Sequence, residues 1–351
     1  MQRYGICGTG SYLPPIRVSN EQVAAAAGVS AEWIERKTGI RERRHARPDQ
    51  ASSDLAARAA RNALEQAGVR ASEVGCVVVA TSTPDHPQPA TANLVQHLIG
   101  ADHAAAFDLN AVCSGFVYAL EVAHALVRDD GRAPYALVIG VDVYSRVIDH
   151  SDRRTAVLFG DGAGAVLLGP VPGHQGLGVT HLRGVGAGHS LIVVPAGGSR
   201  LPASARTVAD GSHFFRMDGR GVRDFVTEHV PRLVHEVLEA GGVRPEDIDH
   251  FVPHQANGVM LLDLVPALGL PASTLRTTLG RYGNTGAASI PVTLDAAHRE
   301  GLLAPGDRTL FAAFGGGMNL AASLCTWAGP SRASSRSRPS AAADPGFRAA
   351  R

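Results

Sequence analysis

Apolar residues recur at three-to-four spacing over residues 53–67 and again over 222–240, which predicts two amphipathic helices. Each is followed by a short Val- and Phe-bearing apolar run, at 76–80 and 250–253, that reads as a strand. Two further helical stretches, 114–127 and 289–300, each precede a second strand-like run, at 137–140 and 311–314. Helix, strand, loop, helix, strand thus occurs twice, and one offset of 174 residues aligns the copies: Gly68-Val69-Arg70 falls on Gly242-Val243-Arg244, and 118–124 on 292–298.

Strands alternating with helices imply an α/β protein with mostly parallel sheets covered on both faces, and two such halves would pack as a pseudo-dimer. The expected divisions are 1–170, 171–328 and a tail, 329–351, whose Ser, Ala, Pro and Arg lack apolar periodicity and read as disordered. Gly160-Asp161-Gly162-Ala163-Gly164 reads as a tight turn into a buried strand that ends the first half. No GxGxxG phosphate loop stands in this context, so no dinucleotide cofactor is expected.

The 351 residues are 45% hydrophobic, with a mean hydropathy of +0.02, as in ordinary globular chains. No apolar run reaches the roughly 18 residues that span a bilayer, and residues 1–6 lack the plan of a signal peptide, so a cytoplasmic protein without membrane contact is expected. The net charge of +1 conceals a basic tail with five arginines and one aspartate. Lys37 is the sole lysine, and the arginines are scattered without interleaved aromatics, which argues against a nucleic-acid surface. The four cysteines are far apart and form no CxxC, so neither a disulfide framework nor a zinc site is expected.

Cys113 falls at a strand-to-helix junction, between Asp108-Leu109-Asn110-Ala111-Val112 and Ser114-Gly115-Phe116. A helix N-terminus favours the thiolate, which is the nucleophilic form. Cys7, Cys76 and Cys325 lie within apolar strands and read as inert core residues. In the second half, Pro253-His254-Gln255-Ala256-Asn257 follows a strand, where a loop leaves the carboxyl end of a parallel sheet, and ligands bind at such ends. Gly283-Asn284-Thr285 precedes the helix paired with that of Cys113, and the offset sets Ala287 opposite Cys113. Phe314-Gly315-Gly316-Gly317 reads either as a tight turn or as backbone donors that approach a substrate closely.

With these residues in place, the chain from Gly8 to about Trp327 resembles a β-ketoacyl-acyl carrier protein synthase III of the thiolase superfamily. The matching motifs are Ala111-Val112-Cys113-Ser114-Gly115-Phe116, Arg153 with Phe159-Gly160-Asp161-Gly162-Ala163-Gly164, Pro253-His254-Gln255-Ala256-Asn257, Gly283-Asn284-Thr285 and Phe314-Gly315-Gly316-Gly317. The resemblance implies a duplicated five-layer αβαβα fold and a homodimer. It implies that Cys113 takes an acyl group from an acyl-coenzyme A, with its own N–H and that of Gly316 as the oxyanion hole. His254 and Asn284 would then bind the carbonyl of a malonyl-acyl carrier protein as CO2 leaves, and the carbanion would form the 3-oxoacyl product. Departing CO2 supplies that carbanion, so no metal or redox cofactor is implied. Phe314 resembles an apolar shield beside the histidine. Trp33 resembles a residue that stacks on the adenine of coenzyme A, with Arg153 on its other face, Lys37 in place of an arginine, and Asn257 nearby.

Several positions depart from the family pattern. Val259 and Asp224 stand where cations used for phosphopantetheine or carrier docking are found, and Gly286 replaces a common serine. Gln88 lies where an apolar residue lines the partner's acyl pocket, which suggests a primer other than acetyl and a specialised pathway. Two other functions compete: a non-decarboxylating acyltransferase that makes an ester or amide through the same cysteine, and a non-catalytic thiolase-fold partner subunit, which would usually lack the nucleophile.

Overall fold

A computed structural model describes residues 2–129 and 134–329, so all of the expected tail after Gly329 lies outside the described residues. The first sheet contains β1 (Arg3–Tyr12), β2 (Val74–Ala80), β3 (Ala105–Leu109), β4 (Tyr135–Asp142) and β5 (Gly162–Val171), in the order β1-β5-β4-β2-β3. The second contains β6 (Gly176–Gly184), β7 (His250–Pro253), β8 (Arg308–Gly315) and β9 (Asn319–Thr326), in the order β6-β9-β8-β7. Each strand of the second sheet therefore has a counterpart in the first, and β3 alone is extra.

After α1 (Ala31–Thr38), six helices complete the layers: α2 (Ser52–Ala67), α3 (Thr91–Ile99), α4 (Gly115–Asp129), α5 (Gly219–Gly241), α6 (Gly258–Ala267) and α7 (Ser289–Arg299). α2 and α3 cover the outer face of the first sheet, α4 and α7 lie between the sheets, and α5 with α6 covers the second. This is the five-layer αβαβα arrangement. Because α4 and α7 are apolar on both sides, Phe116, Leu120, Ile290 and Leu294 join strands of both sheets in one central core.

The duplication holds at single residues. Short 3-10 turns at Val112–Ser114 and Gly286–Ala288 lead into α4 and α7, and Gly68 and Gly242 end α2 and α5 at φ 68° and 63°. Each pair is 174 apart. Bare backbone lets the second of these turns lie flat on the first sheet: a Cβ on Gly140 would come within 2.2 Å of the Ala287 carbonyl oxygen, and one on Gly164 within 2.6 Å of Val292 N.

Pairing differs from the sequence-based expectation of mostly parallel sheets. Only β2/β3, β2/β4 and β7/β8 are parallel, whereas β1/β5, β4/β5, β8/β9 and β9/β6 are antiparallel. Three residues join β8 to β9, far too few for a parallel crossover, and the long β5 has no intervening helix to enforce one. Among the described residues no helix is long and apolar enough to cross a membrane.

Candidate active site

The Cys113 turn is tightly held. Val112 adopts φ 50°, a left-handed conformation costly for a β-branched residue, and so turns the chain sharply at the end of the segment after β3. Ser114 Oγ donates to the Asn319 carbonyl at 2.8 Å, and a Cβ on Gly315 would lie 2.7 Å from Cys113 N, so the end of β8 lies directly against the turn. Gly316 follows, its carbonyl accepting from Asn319 Nδ2 at 2.8 Å. Apart from its own sulfur, the Cys113 N–H has no acceptor among the described residues.

Burial pushes the Cys113 thiol well above its ordinary value, the nearby Asp142 carboxylate acts in the same direction, and a hydrogen bond from the Tyr144 hydroxyl opposes both. Burial thus opposes the effect of the helix start, which favours the thiolate; α4 itself begins two residues after Cys113. The other cysteines are also raised, Cys7 and Cys325 to about 12 and Cys76 to about 11, and all three lie in strands.

His254 leaves the carboxyl end of β7, its backbone N–H donating to Ala312. The ring is buried and stands edge-on to Phe314, centroids 5.2 Å apart. Nδ1 lies 2.8 Å from Ser289 Oγ, at the start of α7. Burial drives the imidazole down to about 3, so it is neutral at physiological pH. Asn284 is also buried; its Oδ1 accepts from Gly286 N–H at 2.9 Å, which leaves the amide NH2 as the group available to a ligand.

The turn at 286–288, which follows Asn284 and precedes Ser289, packs directly on the Cys113 turn, and Phe314 and Gly315 link His254 to the same place. Cys113, His254 and Asn284 are thus gathered by shared neighbours at equivalent ends of the two halves.

Asn284 also lines a cavity of about 540 Å³ that opens to the surface. Trp33, half-buried on α1, together with Lys37, Arg153 and Asn257, lines the outer part of this cavity. Asn257 caps α6 by accepting from Val259 and Met260 N–H, and one Nδ2 hydrogen goes to the Lys37 carbonyl, so one amide hydrogen remains for a ligand. Gln88 is exposed on the loop between β2 and α3 and does not line the cavity of its own chain.

Three contributors carry no motif that singles them out. Arg36 adds a cation at the opening. Tyr144, stacked on Phe159 at 4.4 Å and edge-on to Phe215 at 5.6 Å, walls the thiol. Asp142 ends β4 fully buried, and burial raises it to about 6 although it accepts from Ser82, Thr83 and Ala287. A carboxylate closing an otherwise apolar run was the available signal. Asp142→Ala leaves the half-buried Ser82 and the buried Ala287 N–H groups without an acceptor, and thermal or denaturant unfolding is expected to show a loss of about 2–4 kcal/mol.

The profile of the 3-oxoacyl-[acyl-carrier-protein] synthase III family matches residues 107–186, and that of the C-terminal part of the same family matches 238–327. An acetoacetyl CoA synthase, NphT7, of Streptomyces sp. is 54% identical over 93% of this chain and 99% of its own. A β-ketoacyl-[acyl-carrier-protein] synthase III of Symbiobacterium thermophilum is 45% identical over 92% and 98%. The crystal structure of a 3-oxoacyl-(acyl carrier protein) synthase III of Pseudomonas aeruginosa superposes with a TM-score of 0.85 at 39% identity, covering 93% of this chain and 98% of that one. The duplicated layers, the cysteine turn and these likenesses agree: the chain belongs to the β-ketoacyl-acyl carrier protein synthase III family of the thiolase superfamily and is a condensing acyltransferase.

Proposed function

We propose that Cys113 is the acyl-carrying nucleophile, and that His254 and Asn284 drive decarboxylative condensation with a malonyl thioester. The packing of the Asn284–Ser289 segment on the Cys113 turn carries this reading. The thiol adds to the acyl-coenzyme A carbonyl; the C–S bond to coenzyme A breaks, and the coenzyme leaves as a thiol with the Cys113 proton. The N–H groups of Cys113 and Gly316 hold the oxyanion. The malonyl thioester then loses CO2, and the electron pair of the broken C–C bond becomes an enolate whose oxygen His254 and Asn284 stabilise as donors. The enolate carbon attacks the acyl-Cys113 carbonyl and expels the Cys113 sulfur. Phe314 keeps water from the histidine face.

Trp33 and Arg153 would flank the adenine, with Arg36 and Lys37 as phosphate partners; neither these cations nor Arg153 forms an ion pair among the described residues. By the family resemblance, the halves 1–170 and 171–328 form one protomer of a homodimer, in which Gln88 reaches the partner's acyl pocket. The aromatic wall of Tyr144, Phe159 and Phe215 favours a short primer, acetyl in size, over the primer other than acetyl that Gln88 suggests.

Malonyl-acyl carrier protein is the acceptor the family resemblance implies. Malonyl-coenzyme A is the reading favoured by the two positions where docking cations are replaced: Val259 is exposed on α6 beside the exposed Leu262, and Asp224 stands at the other, while Arg36, Lys37 and Arg153 at the cavity suit the phosphates of a coenzyme. The relative named an acetoacetyl CoA synthase points the same way. Supplied with acetyl-coenzyme A, the protein is expected to release CO2 from malonyl-coenzyme A and form acetoacetyl-coenzyme A, read by mass. Turnover with malonyl-carrier protein alone would overturn the acceptor, and no CO2 with either would overturn the reaction.

His254 is neutral far below physiological pH, so it imposes no acid limb near its ordinary value. Asp142, raised to about 6, titrates close by, so CO2 release by the acylated enzyme is expected to stay flat from about pH 7 to 8; a limb near the usual histidine value of about 6.5 that persists in Asp142→Asn would contradict a neutral donor.

A further inference from the structure

A neutral imidazole carries a single N–H, and which nitrogen holds it decides whether the ring can donate to a substrate. In His254 the choice is governed by one hydroxyl. Ser289 Oγ lies 2.8 Å from Nδ1 and 3.3 Å from the backbone nitrogen of Gln255. The Gln255 N–H can only donate, so it occupies one lone pair of the serine oxygen. Among the described residues Ser289 Oγ has no other partner. If Nδ1 carried the proton, the serine oxygen would accept twice and its own hydrogen would be buried without an acceptor, an arrangement that folded proteins avoid. If the serine donates to Nδ1, every group is satisfied.

We propose that Ser289 is a positioning residue for the condensation step, its hydroxyl donating to His254 Nδ1 and so holding the ring proton on Nε2. This rests on the reading of His254 as a donor to the enolate oxygen. Ser289 is well placed to do so, because it is buried, opens α7, and lies five residues after Asn284, whose own amide is oriented by Gly286 N–H. One short segment thereby sets both donors. The full burial that keeps the imidazole neutral makes the tautomer matter, since a protonated ring would donate from both nitrogens.

The test uses the full-length protein with Ser289→Ala, Ser289→Thr and His254→Ala. Loading of Cys113 by acetyl-coenzyme A, followed by intact mass, is expected to stay within about twofold of the parent in Ser289→Ala, whereas CO2 release and product formation fall about tenfold to a hundredfold. Ser289→Thr, which keeps the hydroxyl, is expected to recover most of that loss. Nitrogen-15 spectra of histidine-labelled protein, with His254 assigned from His254→Ala, should show the Nε2–H form in the parent and lose that preference in Ser289→Ala.

An equal fall in both half-reactions of Ser289→Ala would mean a structural role and overturn the proposal, as would an Nδ1–H ring in the parent. Full condensation by Ser289→Ala, alongside its loss in His254→Ala, would overturn the positioning role and leave the donor reading standing. Full condensation by His254→Ala would overturn the donor reading itself.

Discussion

Cys113→Ala is expected to take no acyl group from any acyl-coenzyme A, with no mass added to the protein, and to lose condensation by on the order of a thousandfold or more. The other three cysteines offer no substitute, because each is buried in a strand with its thiol raised to about 11 or 12. The variant should nonetheless release some CO2 from the malonyl thioester, since the proposed mechanism has His254 and Asn284 act on that substrate without the acyl group. An acyl adduct surviving in Cys113→Ala would place the nucleophile elsewhere and dismantle the proposed chemistry.

The second large effect separates the two half-reactions. His254→Ala and Asn284→Ala are each expected to slow CO2 release about a hundredfold or more while leaving Cys113 acylation near the parent rate. Asn284→Asp is the sharper variant: its Oδ1 still accepts from Gly286 N–H, so the loop is kept, but the donor becomes a negatively charged acceptor facing the enolate oxygen. It should be slower than Asn284→Ala. Because the proposal has both donors serve one oxygen, the double variant should lose less than the product of the two single losses. Equal slowing of acylation would assign the pair to maintaining the site rather than to the decarboxylation.

The duplication and the helices were legible in the sequence because each half repeats the same local signals, a helix-ending glycine and a turn into a buried helix, at one constant spacing. Predicted and observed helices agree closely in the central layer: 114–127 against Gly115–Asp129, and 289–300 against Ser289–Arg299. Strand direction was not legible, since an apolar run such as that in β5 looks alike in either orientation and only the connection decides it. At the site, the motif residues were visible, whereas Tyr144, Asp142 and Ser289 were not. Each matters through a neighbour more than 30 residues away in sequence: Tyr144 through Cys113, Asp142 through Ala287, Ser289 through His254. The burial that opposes the Cys113 thiolate was not legible for a related reason, because it is produced by β8 and the 286–288 turn, and neither is local to the cysteine.

The two-fold relation reaches one level deeper than helices and turns. Val112 and Gly286 are equivalent, and both are left-handed, at φ 50° and 58°. Cys113 corresponds to Ala287, and Gly316 to Asp142. In the second half the Ala287 amide is met by a carboxylate oxygen of Asp142 at 2.8 Å. In the first half that partner position belongs to a glycine, and the Cys113 amide faces the place where an acyl oxygen would gather charge. On the proposed mechanism the turn is an anion receptor built twice: one copy keeps a permanent guest supplied by its own chain, and the other would receive charge only for the moment of reaction. Rotated about the pseudo-dyad, the Asp142 oxygen marks where that transient charge would sit.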